Sequence, residues 1–322
     1  MKVLLTGGNG FIGYHLIKAI LKGTDYSLGL LFRTSSNLWR IKDLLLNNRI
    51  EVFLLDKVKL SDIFARFMPD IVIHLAAYYK RLPTSEEAEQ IMNSNIIFPS
   101  QILEVMSQTG VNLFINTGTF TEYLQDKERL VLNRENARPR DLYSASKSAF
   151  EEILKFYSLK YDISSLTFVL MTPYGEADNE NKLIPYIIKS SLEGVEVDLT
   201  LGEQSLDLIY AEDVAFAYLK GIDFLLSTKT GYNSFQIGSG ETYTIRQIAD
   251  MIKKINKSLR INWGKKSYLK DDIFYCKADI TKSKNILQWS PKTSIENGLN
   301  RTYLYYLNKY GKKGHDRKRK TT

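Results

Sequence analysis

The stretch from Met1 to Gly13 constrains this chain most, because glycines at 7, 10 and 13 fall where a strand gives way to a helix. Val3-Leu4-Leu5 is an apolar run of strand length, broken by the turn-forming Thr6-Gly7-Gly8-Asn9. From Phe11 the apolar residues Phe11, Ile12, Leu16, Ile17, Ile20 and Leu21 recur at helical spacing. In that setting Gly7 allows a tight turn, Gly10 lets backbone approach a pyrophosphate, and Gly13 lets the helix press on the sheet. The helix N-terminus offers free N–H groups and a partial positive charge to the same phosphates. Gly7, Gly10, Phe11, Ile12 and Gly13 are therefore the expected dinucleotide cradle. The plainer reading is a glycine-rich turn without a ligand.

Strand-like and helix-like segments then alternate, which predicts an α/β fold built on a doubly wound parallel sheet. The second strand, Ser27 to Phe32, exits into Arg33-Thr34-Ser35-Ser36-Asn37. A carboxylate there would bond the adenine ribose hydroxyls of NAD. Arg33 with Ser35, Ser36 and Asn37 instead suits a 2′-phosphate, so NADP(H) is expected. Arg40 is a second contact or a surface residue of a helix expected over Leu38 to Leu46. The third strand ends in Asp56, which either accepts from the adenine amino group or caps the next helix. The fourth strand runs into His74-Leu75-Ala76-Ala77, where Leu75 and the small Ala76 and Ala77 let cofactor pass close to backbone. His74 reads as a packed histidine, since nothing near it has metal-ligand spacing. A long helix is expected over Glu86 to Ser107. Strand five, Val111 to Asn116, leads into Thr117-Gly118-Thr119, at the strand ends where ligands of such sheets sit.

Tyr143 and Lys147 open the next helix one turn apart on one face. Free phenol titrates near ~10. A neighbouring ammonium stabilises phenolate and is expected to draw the pKa of Tyr143 toward neutrality. With a hydroxyl from Thr117 on the same substrate oxygen, the trio fits hydride transfer at a carbinol or carbonyl. An i,i+4 pair alone is common on helix surfaces. Behind a dinucleotide loop it is specific.

At these residues the chain resembles the extended short-chain dehydrogenase/reductase superfamily, the NAD(P)-dependent nucleotide-sugar epimerases, dehydratases and 4-ketoreductases. The strings that carry the resemblance are Thr6 to Gly13, His74 to Ala77, Thr117, Tyr143 to Lys147, Pro173-Tyr174-Gly175, Gly202-Glu203-Gln204, Asp207 to Val214 and Ile237 to Gly240. The resemblance implies a Rossmann sheet with a smaller discontinuous α/β substrate domain and a homodimer. Its departures narrow the chemistry. In the dehydratases an Asp and usually a Glu follow the active-site Thr; here Gly118 and Thr119 follow Thr117. Arg33 replaces the acidic NAD determinant of many epimerases. Val169 and Thr172 stand at an Arg and an Asn place, and Leu206 where an Arg often grips the substrate diphosphate, leaving Lys182 or Arg246 to do so. The strings around Thr117, Arg33 and Leu206 look most like 4-ketoreductases of the CDP-abequose synthase type. Thr172 joins the expected cofactor contacts, with Tyr143 and Lys147. Tyr78, Tyr79, Thr119, Tyr174, Lys182, Gln204 and Tyr210 are the expected nucleotide-sugar contacts.

The reading that results is NADPH-dependent reduction of the C4 keto group of a nucleotide-linked deoxyhexose. A C4 epimerase with bound NAD(P) and a non-catalytic NADP(H) sensor are the alternatives. The expected domains are 1–172 with 206–237 for the dinucleotide, 173–205 with 238–310 for the substrate, and a basic, disordered tail over 311–322. That tail has six basic residues against Asp316, and no aromatic or amphipathic pattern that would direct it to nucleic acid or membrane. The single cysteine, Cys276, excludes an internal disulfide and fits a reducing, cytoplasmic setting. No metal site and no transmembrane segment are expected.

Overall fold

The structure is a computed structural model that describes residues 1–123, 138–228 and 231–319, with side chains to Tyr310. The charged stretch after strand five and the side chains of the basic tail lie outside the described residues. β1 (Lys2–Thr6), β2 (Ser27–Phe32), β3 (Ile50–Leu54), β4 (Ile71–His74), β5 (Leu113–Thr119) and β6 (Ser164–Leu170) join a returning strand, Tyr232–Ile237, in one sheet. The spatial order runs from that returning strand through β6, β5, β4, β1 and β2 to β3, and every pairing is parallel. The strand order reverses beside β1, with β2 and β3 on one side and β4 to β6 on the other. A crevice forms at the carboxyl ends of strands at such a switch point. Register aligns those ends: Thr6 lies opposite His74, and His74 opposite Asn116. The glycine loop, the Leu75–Ala77 segment and Thr117–Thr119 are thereby brought side by side.

Both faces of the sheet are covered, which is why its strands read as continuous apolar runs. Val3 and Leu5 face α1 (Phe11–Gly23), while Leu4 between them faces α2 (Leu60–Phe67). α3 (Ser85–Met92) leads to α4 (Phe98–Thr109), which with α5 (Leu142–Lys160) packs Ile102, Leu103, Phe150 and Leu154 on the α2 side. Beyond α6 (Leu183–Glu193), α7 (Ala211–Ser227) places Val214, Tyr218 and Ile222 against the α1 side. A second apolar cluster joins α6, α8 (Ile245–Ile255) and the C-terminal helix Ile295–Arg319 through Ile187, Ile188, Ile248, Leu299 and Tyr306. Thr244 caps α8 as its position suggests, accepting from Gln247 N–H in a reciprocal capping box. Among the described residues no helix is long and apolar enough to cross a membrane.

Three local expectations are corrected. Leu38 to Leu46 forms turns ending in a 3-10 turn at Leu44–Leu46, not a helix. Arg40 holds the segment in that path by donating to Ala177 O and Asn9 O. The long helix over Glu86 to Ser107 is interrupted by a π turn, Asn93–Ile97. Pro99 lacks an N–H, and its ring would clash with the carbonyl of Asn95 in an unbroken α-helix. β5 continues past Asn116 to Thr119. The last helix extends to Arg319.

Candidate active site

The cradle is built as the glycines require. Gly7 sits at φ +69, and a Cβ on it would stand 2.5 Å from Ala76 N. A Cβ on Gly13 would meet Gly7 O at 2.4 Å. Strand-end backbone and helix start therefore approach closer than any side chain permits. Thr6 locks the neighbouring segment, accepting from Ala76 N–H at 3.1 Å and touching His74 Nδ1 at 2.8 Å. His74 is fully buried, and burial followed by the Lys147 charge holds it neutral, as expected for a packed histidine. Phe11 reaches out to Lys182, whose ammonium lies 5.2 Å from its ring. Ile12 packs against the core below.

The loop after β2 is tied to this cradle. Asn9 Nδ2 donates to Asn37 O at 3.1 Å, and Ser36 Oγ accepts from Arg33 N–H at 3.0 Å. Asp56 is not a helix cap, since α2 begins after Lys59; it accepts from Thr34 N–H at 2.9 Å. That bonding to Thr34 lowers the pKa of its carboxyl. Asp56 thus shapes the loop that carries Arg33. Arg33 and Ser35 are exposed, and no described residue takes a side-chain hydrogen bond from Arg33.

Tyr143 and Lys147 lie on the first turns of α5, which Asp141 caps by accepting from Ser144 N–H at 2.8 Å. Lys147 is 3% exposed, and no described residue accepts a hydrogen bond from its Nζ. A buried ammonium left with open donors suits the hydroxyls of a bound ribose. Burial draws its pKa down to about 8, with Glu122 opposing the shift. The phenol of Tyr143 departs from expectation. Its pKa is raised, first by burial and then by Glu122, Asp141 and Tyr79. Lys147 does not offset these effects, so Tyr143 rests as the protonated acid. The Tyr79 ring stands edge-on to Tyr143 at 4.9 Å, placing one expected substrate contact over the phenol. Tyr78 is clamped through its backbone, Asn95 bonding both its N–H and its carbonyl while also donating to Ser146 Oγ on α5.

The two threonines of β5 differ. Thr117 Oγ1 donates to His74 O at 2.9 Å and lies 2.6 Å from Tyr218 OH, so its hydroxyl is fully engaged inside the fold. Thr119, two residues on and on the same strand face, is at the open end. Its hydroxyl starts a chain through Thr121 at 3.0 Å and Ser144 at 2.7 Å to the Asp141 carboxylate. That chain ends on Asp141, two residues before Tyr143 on α5. Thr121, Ser144, Tyr218, Asn95 and Glu122 were not singled out from the sequence as site residues. Packing of β5 against α5, α7 and the π turn brings them together.

Of the other expected contacts, Tyr174 and Tyr210 lie inside the fold. They are 3% and 1% exposed in the second cluster, with Tyr210 bonded to Glu176 and Tyr174 lodged against Gly298. Gly298 leaves the room that draws Tyr174 inward. Lys182 pairs with Asp178 at 3.1 Å, Gln204 accepts from Thr200 at 3.4 Å, and Arg246 donates to Leu201 O at 2.6 Å. The buried hydroxyl of Thr172 has no described partner. Among the described residues no His, Cys, Asp and Glu group could hold a metal.

A doubly wound sheet with this cradle at its switch point and a tyrosine–lysine pair at its mouth is the architecture of extended short-chain dehydrogenases/reductases. The chain belongs to the NAD dependent epimerase/dehydratase family, whose pattern spans residues 3–238. It is 29% identical over 306 residues to a CDP-abequose synthase of Salmonella muenchen, covering 92% of this chain and 95% of that one. It is 28% identical over 313 residues to a UDP-glucuronate 4-epimerase of Thermodesulfobacterium geofontis, covering 93% and 94%. The crystal structure of a Bacillus cereus UDP-glucuronic acid 4-epimerase, solved with UDP-glucuronic acid and NAD, superposes with a TM-score of 0.83 at 26% identity. That match covers 95% of this chain and 98% of that one.

Proposed function

We propose that the protein is an NADPH-dependent reductase of the C4 keto group of a nucleotide-linked 4-keto-deoxyhexose, with a CDP-sugar favoured. The observation that carries this reading is Arg33, exposed and unpaired among described residues at the exit of β2, where a carboxylate would select NAD. NADPH exchanged each turnover suits a reductase better than an epimerase that keeps its cofactor. The cofactor, when bound, supplies the hydride. Tyr143, held as phenol, donates its proton to O4. Thr119 orients the carbonyl oxygen, Lys147 holds the nicotinamide ribose, and Tyr79 covers the sugar. With Thr119 in that role the next residues are Phe120 and Thr121, so no carboxylate follows it directly and dehydration stays disfavoured. The likeness to the Salmonella synthase supports the CDP-sugar, while the likeness to the epimerases names the competing reaction.

Stoichiometric NADPH loss with one of a panel of CDP-, GDP-, UDP- and dTDP-4-keto-6-deoxy sugars tests the reading. Interconversion of C4 epimers without net NADPH loss overturns it. Arg33→Ala is expected to weaken NADPH about 10- to 100-fold in a fluorescence titration and to leave NADH unchanged, since charge-assisted hydrogen bonds contribute about 1.5–3 kcal/mol. Equal loss for both cofactors would assign Arg33 a structural role instead. Thr119→Val is expected to lower kcat about 100-fold, the usual cost of removing one donor to a reacting oxygen. Thr117→Val should instead lower thermal stability by orphaning the Tyr218 hydroxyl.

A further inference from the structure

Glu122 is a carboxylate that this scheme does not use, yet it lies at the centre of the site. It sits in the 3-10 turn Phe120–Tyr123, directly after β5, and is 1% exposed. Its Oε1 accepts from Thr119 N–H at 2.6 Å and its Oε2 from Ser148 Oγ at 3.2 Å. One carboxylate thereby joins the strand end that bears Thr119 to the helix that bears Tyr143 and Lys147. Gly118 makes the room, because a Cβ there would stand 3.0 Å from Oε1. A buried carboxylate is costly unless it is hydrogen-bonded and faces opposite charge. The buried Lys147 is one charge that feels it, Glu122 opposing the fall in the pKa of its ammonium.

We propose that Glu122 is a positioning residue of the reaction: it fixes the Thr119 backbone and is the negative pole toward which Lys147 and Tyr143 are set. The direction of its effect rests on the reductase reading. The titratable and charged groups that share this surround, among the described residues, are His74 from β4, Tyr79 after it, Tyr218 from α7, and Asp141 and Tyr143 on α5. His74 is neutral, Asp141 is occupied by Ser144 and Arg140, and Glu151 one turn on from Lys147 pairs with Lys155. Glu122 is the carboxylate that acts on both Tyr143 and Lys147. Its charge favours ammonium on Lys147 and phenol on Tyr143, the two forms that keto reduction needs. Both are present at low pH and lost as pH rises. Removing the charge therefore moves the alkaline loss of activity to lower pH.

Glu122→Gln keeps the shape and the acceptor for Thr119 N–H while deleting the charge. The alkaline limb of kcat for NADPH consumption is expected to fall by about one pH unit, a neighbouring charge shifting a pKa by ~1–3 units. In parallel, the carbon-13 signal of Lys147 Cε, identified by its absence in Lys147→Met, should titrate about one unit lower in Glu122→Gln. Glu122→Asp keeps the charge but draws it back one methylene, so its limb and its Lys147 titration fall between the two. It carries the test alone if the glutamine variant does not fold. Identical Lys147 titrations in parent and variants, or a rate lowered equally at every pH, would overturn the role. The lysine signal needs no sugar. If no 4-keto sugar consumes NADPH while that signal still shifts, the reductase reading fails and the placement of Glu122 stands.

Discussion

Tyr143→Phe is expected to bind NADPH as the parent does and to lose about 10²–10⁴-fold in kcat, the contribution of a positioned general acid. The change removes one hydroxyl from a half-buried ring. No described residue hydrogen-bonds that hydroxyl, so no buried partner is orphaned and the fold should be unaffected. The ring itself, packed edge-on to Tyr79, remains. Lys147→Met behaves differently. It removes the open donors expected at the nicotinamide ribose, so cofactor affinity and kcat should fall together. Single-turnover NADPH oxidation beside a fluorescence titration separates the two. A Tyr143→Phe enzyme that keeps full turnover would remove the phenol from the mechanism and move the proton source to the Thr119–Thr121–Ser144–Asp141 chain.

The parts of this site that were legible from sequence are local. The glycine loop declares itself because strand, turn and helix signals are contiguous over Met1 to Leu21. Tyr143 and Lys147 declare themselves because one helical turn separates them. What was not legible depends on distant packing. Thr117 and Thr119 are equivalent by alternation along β5, and what distinguishes their surroundings is Tyr218, which arrives on α7 to engage Thr117. Glu122 looks like part of a charged surface loop until Gly118 is seen to admit its carboxylate inward. The raised pKa of Tyr143 follows first from burial and then from that same inward charge, both of which a reading of Tyr143 and Lys147 alone omits. Tyr174 and Tyr210 sit in strings typical of the family, yet such strings do not say which way a ring faces. Gly298, far along the chain, provides the space that takes Tyr174 into the second core.

Gly7→Ala should abolish useful NADPH binding, weakening it at least about 100-fold, and should also lower Tm. Two costs combine. Gly7 holds φ +69, where a side chain costs about 1–2 kcal/mol. Its new Cβ would stand 2.5 Å from Ala76 N and 2.7 Å from Leu75 C, which are backbone atoms that cannot rotate away. Overpacking of that kind costs about 1–3 kcal/mol more. Relief requires the Leu75–Ala77 segment to move outward, into the path expected for the cofactor. Such a shift also strains Ala76 N–H to Thr6 Oγ1 and, through Thr6, the contact with His74 at the join of β1 and β4. Gly23→Ala is the matched control. Gly23 ends α1 with nothing within 4 Å of a Cβ and no positive φ, so alanine there should leave binding unchanged and stability equal or up to about 1 kcal/mol higher. Calorimetry and NADPH titration on the pair distinguish a cradle that needs its glycine from a turn that merely contains one. Parent-like binding by Gly7→Ala would remove the cofactor from the mouth of β1.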